Sequence, residues 1–268
     1  MNASRTSYPE PNLHHPLAEG PTTGVARTVH LLKLFRKEVA DPDRFYHYLA
    51  GDVVRHISRF QSPAGAVAVD IGGGPGYTAE ALKAAGAHCV VADYSLAELG
   101  LHDRQPESAI QCDAQALPLR DGSANLVYSS NVLEHVPQWR SMLTEMLRVL
   151  EPDTGLGYLT FTNWYSPWGG HETSPWHYFG GSYAAKRYER KFGRRPKNEF
   201  GVSLFRLDIQ EVVDWFHERT DVEILWIGPR YLPEWMRWIE QVPGVREVVT
   251  WNLVIVFRRK SSSATTTQ

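Results

Sequence analysis

Between residues 67 and 162, short apolar runs alternate with helix-like segments, and this alternation is the strongest constraint on the fold. Five runs rich in Val, Ile, Leu, Ala and Tyr are typical of buried strands, and segments such as PQWRSMLTEMLRVLEP have the apolar spacing of an amphipathic helix. Because alternating strands and helices build parallel sheets with right-handed crossovers, the sequence predicts an α/β fold. Two later strands, VEILWIG and NLVIVFRRK, lack a helical crossover and are expected to pair antiparallel.

Composition narrows the function classes. A chain of 268 residues that is 43% hydrophobic can bury a core without disulfides, and its net charge of −2 gives no reason to expect nucleic acid. Only Cys89 and Cys112 are present, both in predicted strands, so we expect a reducing cytoplasm. No uncharged apolar run approaches the roughly 20 residues that span a bilayer, which leaves at most peripheral membrane contact.

A glycine-rich turn follows the first predicted strand in the segment DIGGGPG. Its glycines let the chain turn sharply and let a ligand lie against main-chain N–H groups at a helix N-terminus. The dinucleotide fingerprint G-x-G-x-x-G fails here, because its third glycine would fall at Tyr77. The segment fits the alternative pattern D-x-G-x-G-x-G, whose fixed positions are Asp70, Gly72, Gly74 and Gly76. Gly73 occupies the variable position between Gly72 and Gly74.

Acidic residues end the next two predicted strands. A carboxylate at Asp93 can accept hydrogen bonds from both ribose hydroxyls of a nucleoside. Asp113 can accept from an exocyclic adenine amine, while Ala114 and Leu117 offer apolar contact with the ring. All lie at the carboxyl ends of strands, where open α/β sheets bind ligands. The pattern indicates a ligand that contains a nucleoside.

In their order and spacing, the segments DIGGGPG, VADYS, CDAQALPL, SSNVLEHV and MLRVLEP resemble class I S-adenosylmethionine-dependent methyltransferases of the type 11 group. Weaker similarity along the rest of the chain looks like uncharacterised actinobacterial members. The resemblance implies a doubly wound, Rossmann-like sheet of seven strands in the order 3-2-1-4-5-7-6, with the last strand antiparallel and helices on both faces. The family's usual K-P-G-G turn appears here as EPDTG, which affects only the turn geometry.

The resemblance also implies that S-adenosyl-L-methionine is the cofactor and assigns its site. Asp70 and the glycine loop would hold the methionine moiety, Asp93 the ribose, and Asp113 with Ala114 the adenine. Tyr94, next to Asp93, is a further cofactor-binding candidate. The residues expected near the methionine group and the reacting methyl are Ser130 and Asn131.

The segment NWYSPWGGHETSPWHYFGG follows the fifth strand, on the side where the methyl would be presented. Its glycine pairs can act as hinges and its rings can wall a dry pocket, so a substrate lid is expected. His171, Glu172 and His177 are candidate bases, and His135 is a fourth. The alternative is a packed lid whose histidines only make hydrogen bonds. No metal site is expected, because the H-E-x-x-H spacing is absent.

The predicted domain organisation is one methyltransferase domain over 27–260 between disordered tails, 1–26 and 261–268. Its parts are N-terminal helices (27–62), a cofactor-binding core (67–162), the lid insertion (163–205) and the C-terminal half of the sheet (206–260).

Two surface features have ordinary explanations. A basic run is expected to be a solvated helix face, and otherwise it would attract an anionic lipid or glycan. Aromatic residues near the C-terminus are expected to pack against the sheet, with a membrane-facing or acceptor-lining role as the alternative. The basic residues are Lys186, Arg187, Arg190, Lys191, Arg194, Arg195 and Lys197, and the aromatic ones Tyr231, Trp235 and Trp238.

The sequence therefore predicts methyl transfer to a small-molecule, lipid or saccharide acceptor, with O-methylation favoured. The alternative is a catalytically silent S-adenosylmethionine-binding module that acts as a regulatory or partner subunit. No nucleic-acid partner is expected, and the sequence does not indicate an oligomeric state.

Overall fold

A computed structural model describes residues 19–38, 40–101 and 105–261, and a seven-stranded sheet lies at its centre. The strands are β1 (Val67–Ile71), β2 (His88–Asp93), β3 (Ala109–Gln111), β4 (Leu126–Ser130), β5 (Leu156–Phe161), β6 (Val222–Pro229) and β7 (Leu253–Arg259). Their order is β3-β2-β1-β4-β5-β7-β6. Neighbours among the first five strands are parallel, whereas β7 is antiparallel to both β5 and β6. The predicted fold class and strand order are confirmed.

Helices surround this sheet. Within the described part of the chain the α-helices are α1 (Gly24–Phe35), α2 (Pro42–Ile57), α3 (Tyr77–Ala84), α4 (Leu96–Leu99), α5 (Trp139–Val149), α6 (Gly181–Phe192), α7 (Ile209–His217) and α8 (Val245–Val249). Short 3-10 turns occupy Leu133–His135, His171–Thr173, Trp176–Phe179 and Glu234–Gln241. Most residues predicted to form disordered tails, 1–18 and 262–268, lie outside the described residues.

The sheet buries a separate apolar cluster on each face. One cluster joins β1, β4, β5 and β7 to α5 and α7, with Met142, Met146 and Phe216 among its members. The other joins the opposite faces of the strands to α2 and α3 through residues such as Val54 and Leu82. Because helices cover both faces, the edge at the carboxyl ends of the strands is where a ligand can approach the sheet.

The N-terminal helices are fixed over the α3 side of the sheet. The Asp41 side chain caps α2 by accepting from the Arg44 N–H, and Pro42 takes the first helical position. Between α1 and α2, the Arg27 guanidinium donates to both carboxylate oxygens of Asp52, at 2.7 and 2.5 Å. This largely buried bidentate pair orients α1 against α2.

The basic run occupies α6 and the segment that follows it. Most of its side chains are exposed, as the sequence predicts for a solvated face, and the Arg187 guanidinium lies 3.8 Å from the Trp176 ring centroid. Glycine ends the helix, because Gly193 adopts a φ of +68°.

The prediction that the C-terminal aromatic residues pack against the sheet is wrong for Trp235 and Trp238, and the third residue packs against the N-terminal helices instead. Trp235 and Trp238 lie in the Glu234–Gln241 turn and are 68% and 54% exposed. Tyr231 is packed, but against the cluster formed by α1 and α2. The 3-10 geometry of the turn leaves both indoles on its outer side. In the described ranges, no helix combines the length and the hydropathy needed to cross a bilayer.

Candidate active site

The glycine loop between β1 and α3 has a backbone that side chains would disrupt. Gly72, Gly74 and Gly76 have φ values of +69°, +48° and +83°, in the left-handed region that favours glycine. A Cβ at Gly73 would lie 2.6 Å from the Asp70 carboxylate carbon. The loop therefore presents bare main chain at the start of α3, the arrangement needed to hold an anionic or zwitterionic ligand.

Asp93 connects this loop to the end of β2. Its Oδ2 accepts from the Gly74 N–H at 3.0 Å and its Oδ1 from the Ser95 N–H at 2.8 Å. The side chain is only 8% exposed, so two main-chain donors fix both oxygens at the carboxyl edge of the sheet. A carboxylate held in this way can accept further hydrogen bonds from a diol.

Asp70 lies beneath the loop with one oxygen unsatisfied. Its Oδ1 is buried and has no hydrogen-bond partner in the described ranges of the chain. Burial, with a smaller contribution from the charge of Asp93, raises the pKa of the Asp70 carboxyl to about 7. Because a buried carboxylate of this kind lacks a counter-charge, a cationic group of a bound ligand would satisfy it.

We expect the ligand-free Asp70→Asn variant to gain stability relative to the parent protein as pH rises from about 4 to 7. The native carboxyl, with its pKa raised, holds a proton over a range in which the unfolded carboxyl has lost it, so parent stability falls through this window. Asparagine has no such titration. Urea unfolding at several pH values measures the difference, and a difference that stays constant across the window would contradict the assignment.

The residues predicted to hold the adenine and ribose lie along β2 and β3. Asp113 is exposed just beyond β3, and its Oδ1 accepts from the Gln115 N–H at 2.9 Å. This hydrogen bond stabilises the turn that follows β3. Ala114 packs on the core beside it. Tyr94, next to Asp93, is 75% exposed. The three side chains line the same edge as the glycine loop.

At the end of β4, Ser130 and Asn131 take part in separate hydrogen-bond networks. Ser130 Oγ accepts from the Arg230 guanidinium at 2.7 Å. Asn131 has a φ of +54°, and its Oδ1 accepts from the Asn252 amide at 2.6 Å. A non-glycine residue in this conformation is held there by its surroundings. Both side chains are thus positioned by residues more than 90 positions later in the sequence.

Arg230 was not identified from the sequence. It follows β6, is 3% exposed, and donates from Nη1 to Ser130 Oγ and Thr160 Oγ1. Its Nε and Nη2 have no hydrogen-bond partner among the described residues. A buried guanidinium in this state suits a ligand carboxylate, which would bind both free N–H groups in a bidentate manner.

Replacing Arg230 with Met should leave the stability of the ligand-free protein unchanged or raise it. An unpaired buried charge is costly, and an apolar side chain of similar length removes that cost. Arg27→Met is the matched control, because it leaves Asp52 buried without its bidentate partner and should cost about 3–5 kcal/mol. Chemical denaturation measures both, and a loss at Arg230 as large as that at Arg27 would show that Arg230 is a structural ion-pair residue.

Three further side chains converge beside the end of β4. Glu134 and His135 lie in the turn after β4, and His171 lies in the lid, where it has a φ of +49°. One ligand atom of each residue lies within 4.8 Å of the other two. The rings of His135 and His171 meet edge to face with centroids 5.0 Å apart. The lid thus brings one predicted candidate base against another.

Burial sets the charges of this cluster. It raises the pKa of the Glu134 carboxyl, which is 1% exposed. It lowers the pKa of His171 to about 4, with a smaller contribution from His135, so His171 is neutral near pH 7. A base with so low a pKa is a weak proton acceptor at neutral pH.

The other two predicted bases, Glu172 and His177, form hydrogen bonds within the lid segment. Glu172 accepts from the Asn198 N–H at 2.8 Å and from its side-chain amide at 2.9 Å. His177 is 1% exposed, and its Nε2 lies 3.2 Å from the Ser166 carbonyl oxygen. Neither belongs to the Glu134 cluster, and their contacts are those of residues that hold the lid together.

Aromatic side chains from three parts of the chain contact one another. Phe35 of α1 meets Trp168 of the lid with centroids 5.2 Å apart, and Trp168 meets Trp251, just before β7, at 6.4 Å. Tyr46 of α2 stacks on Tyr77, the first residue of α3, at 5.2 Å. These ring contacts connect the N-terminal helices, the lid and the segment before β7, and Trp168 at their centre is 41% exposed.

The sheet order, the glycine loop after β1 and the acidic residue ending β2 together define a class I S-adenosylmethionine-dependent methyltransferase. The family described as "Methyltransferase domain" matches residues 69–157. An uncharacterized methyltransferase of Mycobacteroides abscessus is 41% identical over 247 residues, which cover 87% of this chain and 93% of the relative. One from Mycolicibacterium gilvum is 41% identical over 247 residues, with 87% and 94% covered. The chain belongs to this methyltransferase family.

Solved structures agree on the fold. A chain of the complex containing the Haloferax volcanii Trm112 methyltransferase activator has a TM-score of 0.54 at 17% identity, and the match covers 88% of this chain and 98% of that one. An S-adenosylmethionine-dependent methyltransferase from Mesorhizobium loti has a TM-score of 0.53 at 16% identity, with 77% and 96% covered.

The residues present fit the cofactor of this class. The unsatisfied Asp70 oxygen suits an amino group, the bare glycine loop leaves room against the main chain, and Asp93 is an acceptor for a ribose diol. S-adenosylmethionine is the cofactor, and the assignment of individual residues to its parts stays a prediction.

Proposed function

We propose that the protein methylates a hydroxyl oxygen of a small-molecule, lipid or saccharide acceptor. The ring contacts among α1, the lid and the segment before β7 are the observation that carries this proposal. Phe35, Trp168 and Trp251 come from three separate elements, and Trp168 contacts the other two. A site bordered by such rings suits an acceptor, or an acceptor group, that enters among aromatic rings, and it disfavours a folded protein surface or a duplex.

The chain's own residues have distinct tasks in this proposal. Asp93, Asp70 and the glycine loop hold the cofactor, which when bound supplies an electrophilic methyl group. The lid and α1 exclude water and align the acceptor, for which about 7–11 kcal/mol of the barrier is available in principle. The proton of the acceptor hydroxyl is removed beside the Glu134, His135 and His171 cluster, a step worth roughly 10²–10⁴-fold in rate when a base is positioned for it.

Two further features are consistent with the proposal, one concerning the ligand and the other the compartment. Arg230 offers free N–H groups at the same edge, which favours an acceptor or cofactor group that carries a carboxylate. Both cysteines are free, as suits the reducing cytoplasm expected from the sequence.

The test is transfer of labelled methyl from S-adenosylmethionine into an extract of the producing cells, separated into small-molecule, lipid, saccharide, protein and nucleic-acid fractions. We expect label in one of the first three fractions, in a product whose mass spectrum shows a methoxy group, and none with Asp93→Ala. Label confined to protein or nucleic acid would contradict the proposal. If no fraction is labelled although the protein binds the cofactor, the silent-module alternative is favoured.

A further inference from the structure

We propose that Glu134, His135 and His171 bind one divalent transition-metal ion. The three residues come from two segments, the turn after β4 and the lid, and one ligand atom of each lies within 4.8 Å of the others. Binding of the ion does not depend on the proposed function. Only its role in activating an acceptor rests on that function.

The unsatisfied atoms of the cluster are the ones a metal would use. Glu134 is 1% exposed, and its Oε1 accepts from the Thr162 N–H at 3.0 Å. Its Oε2 is buried and has no hydrogen-bond partner within the part of the chain that the structure describes. The Nδ1 of His171 is also buried, and none of the described side chains or main-chain groups lies within normal hydrogen-bond geometry of it. Buried polar atoms without partners are rare in folded proteins, and a bound ion would satisfy both.

His135 is oriented for the same purpose. Its Nδ1 lies 2.6 Å from the Ser203 carbonyl oxygen. Because a carbonyl oxygen can only accept, Nδ1 carries the hydrogen and donates a hydrogen bond to it. The lone pair on Nε2 is then left for a ligand. An imidazole whose second nitrogen donates to a main-chain carbonyl is the usual outer-shell arrangement of a metal-bound histidine.

The donor set selects the class of ion. Two imidazole nitrogens and one carboxylate oxygen suit Zn²⁺ or another divalent first-row metal, whereas Mg²⁺ and Ca²⁺ prefer oxygen ligands throughout. Three protein ligands leave at least one coordination position open, as in catalytic rather than structural zinc sites. An acceptor hydroxyl in the open position would have its pKa lowered, because the metal stabilises the alkoxide.

The experiment uses the full-length protein after treatment with a chelator and dialysis. Co²⁺ is titrated in while its visible absorption bands are followed, and Zn²⁺ is then added in competition. The variants are His171→Ala and Glu134→Gln, in which the glutamine oxygen still accepts from the Thr162 N–H. His177→Ala is the matched control, since His177 is a buried histidine of the same lid outside the cluster. Binding of S-adenosylhomocysteine confirms that each variant is folded.

We expect one Co²⁺ per chain, displaced by Zn²⁺, with affinity lowered in both cluster variants by at least about 100-fold. That is at or above the roughly 10–100-fold cost of losing only an outer-shell partner. The His177→Ala variant should bind Co²⁺ as the parent protein does. No saturable Co²⁺ or Zn²⁺ binding by folded parent protein, or binding that both cluster variants retain, would overturn the proposal. Neither readout involves methyl transfer, so failure here leaves the proposed function intact.

Discussion

The Asp93→Ala variant is expected to bind S-adenosylhomocysteine at least about 100-fold more weakly than the parent protein. The substitution removes the ribose acceptor and frees the Gly74 and Ser95 N–H groups that Asp93 now holds. Hydrogen bonds to a charged group contribute about 1.5–3 kcal/mol each, and each 1.4 kcal/mol is a factor of ten in affinity. Loss of the loop anchor and of one ribose bond accounts for the expected change.

The affinity of Asp93→Asn for S-adenosylhomocysteine should lie between those of Asp93→Ala and the parent protein, because the amide keeps one acceptor oxygen but loses the charge. Glu98→Gln is the matched control, since it neutralises a nearby acid whose pair with Lys197 is largely exposed. Its affinity should stay within about threefold of the parent, as expected for a surface pair. Isothermal titration calorimetry measures all three. An Asp93→Ala protein that is folded and binds with parental affinity would refute the role given to this carboxylate.

The second large effect is on stability. Gly72→Ala should cost about 2–5 kcal/mol in the free energy of unfolding. Gly72 has a φ of +69°, and an alanine in this left-handed conformation costs about 1–2 kcal/mol. The added Cβ would also lie 2.2 Å from Val132 Cγ2, and such overpacking costs about 1–3 kcal/mol.

Gly65→Ala separates the two causes. Gly65 has a φ of +76°, but a Cβ there would meet nothing within 4 Å, so only the conformational cost applies. Combining Gly72→Ala with Val132→Ala should recover the overpacking part. Urea unfolding measures these differences. Equal losses for Gly65→Ala and Gly72→Ala would show that the loop tolerates a side chain against Val132.

The part of the fold that follows from the sequence is the part set by local pattern. The strands, the glycine loop and Asp93 lie close together in the chain, so periodicity and turn chemistry locate them before any long-range contact is known. The strand order was implied by the resemblance to the methyltransferase family and not by local pattern.

The rest depends on contacts that no local pattern records. Arg230 reaches Ser130 across the sheet, and His171 reaches His135 only because the lid folds back on β4. The proposed metal site has no local signature such as H-E-x-x-H, because Glu134, His135 and His171 converge from two segments. Exposure of Trp235 and Trp238 was also missed, since indole rings usually pack.

The assignment of Glu172 and His177 shows the same limit. Both are polar groups in the segment expected to face the acceptor, yet their side chains bond to Asn198 and Ser166 within the lid. Sequence composition identifies which residues are able to act as bases, while the direction of each side chain is fixed by packing. Catalytic roles for these two residues stay predictions.

Calorimetric titration of the parent protein with S-adenosylmethionine, S-adenosylhomocysteine and NAD tests the cofactor site most directly. The glycine loop, Asp70 and Asp93 predict one site per chain, with micromolar or tighter binding of both adenosyl ligands and no binding of NAD. Binding of NAD, or the absence of binding by either adenosyl ligand to folded protein, would contradict the site described here.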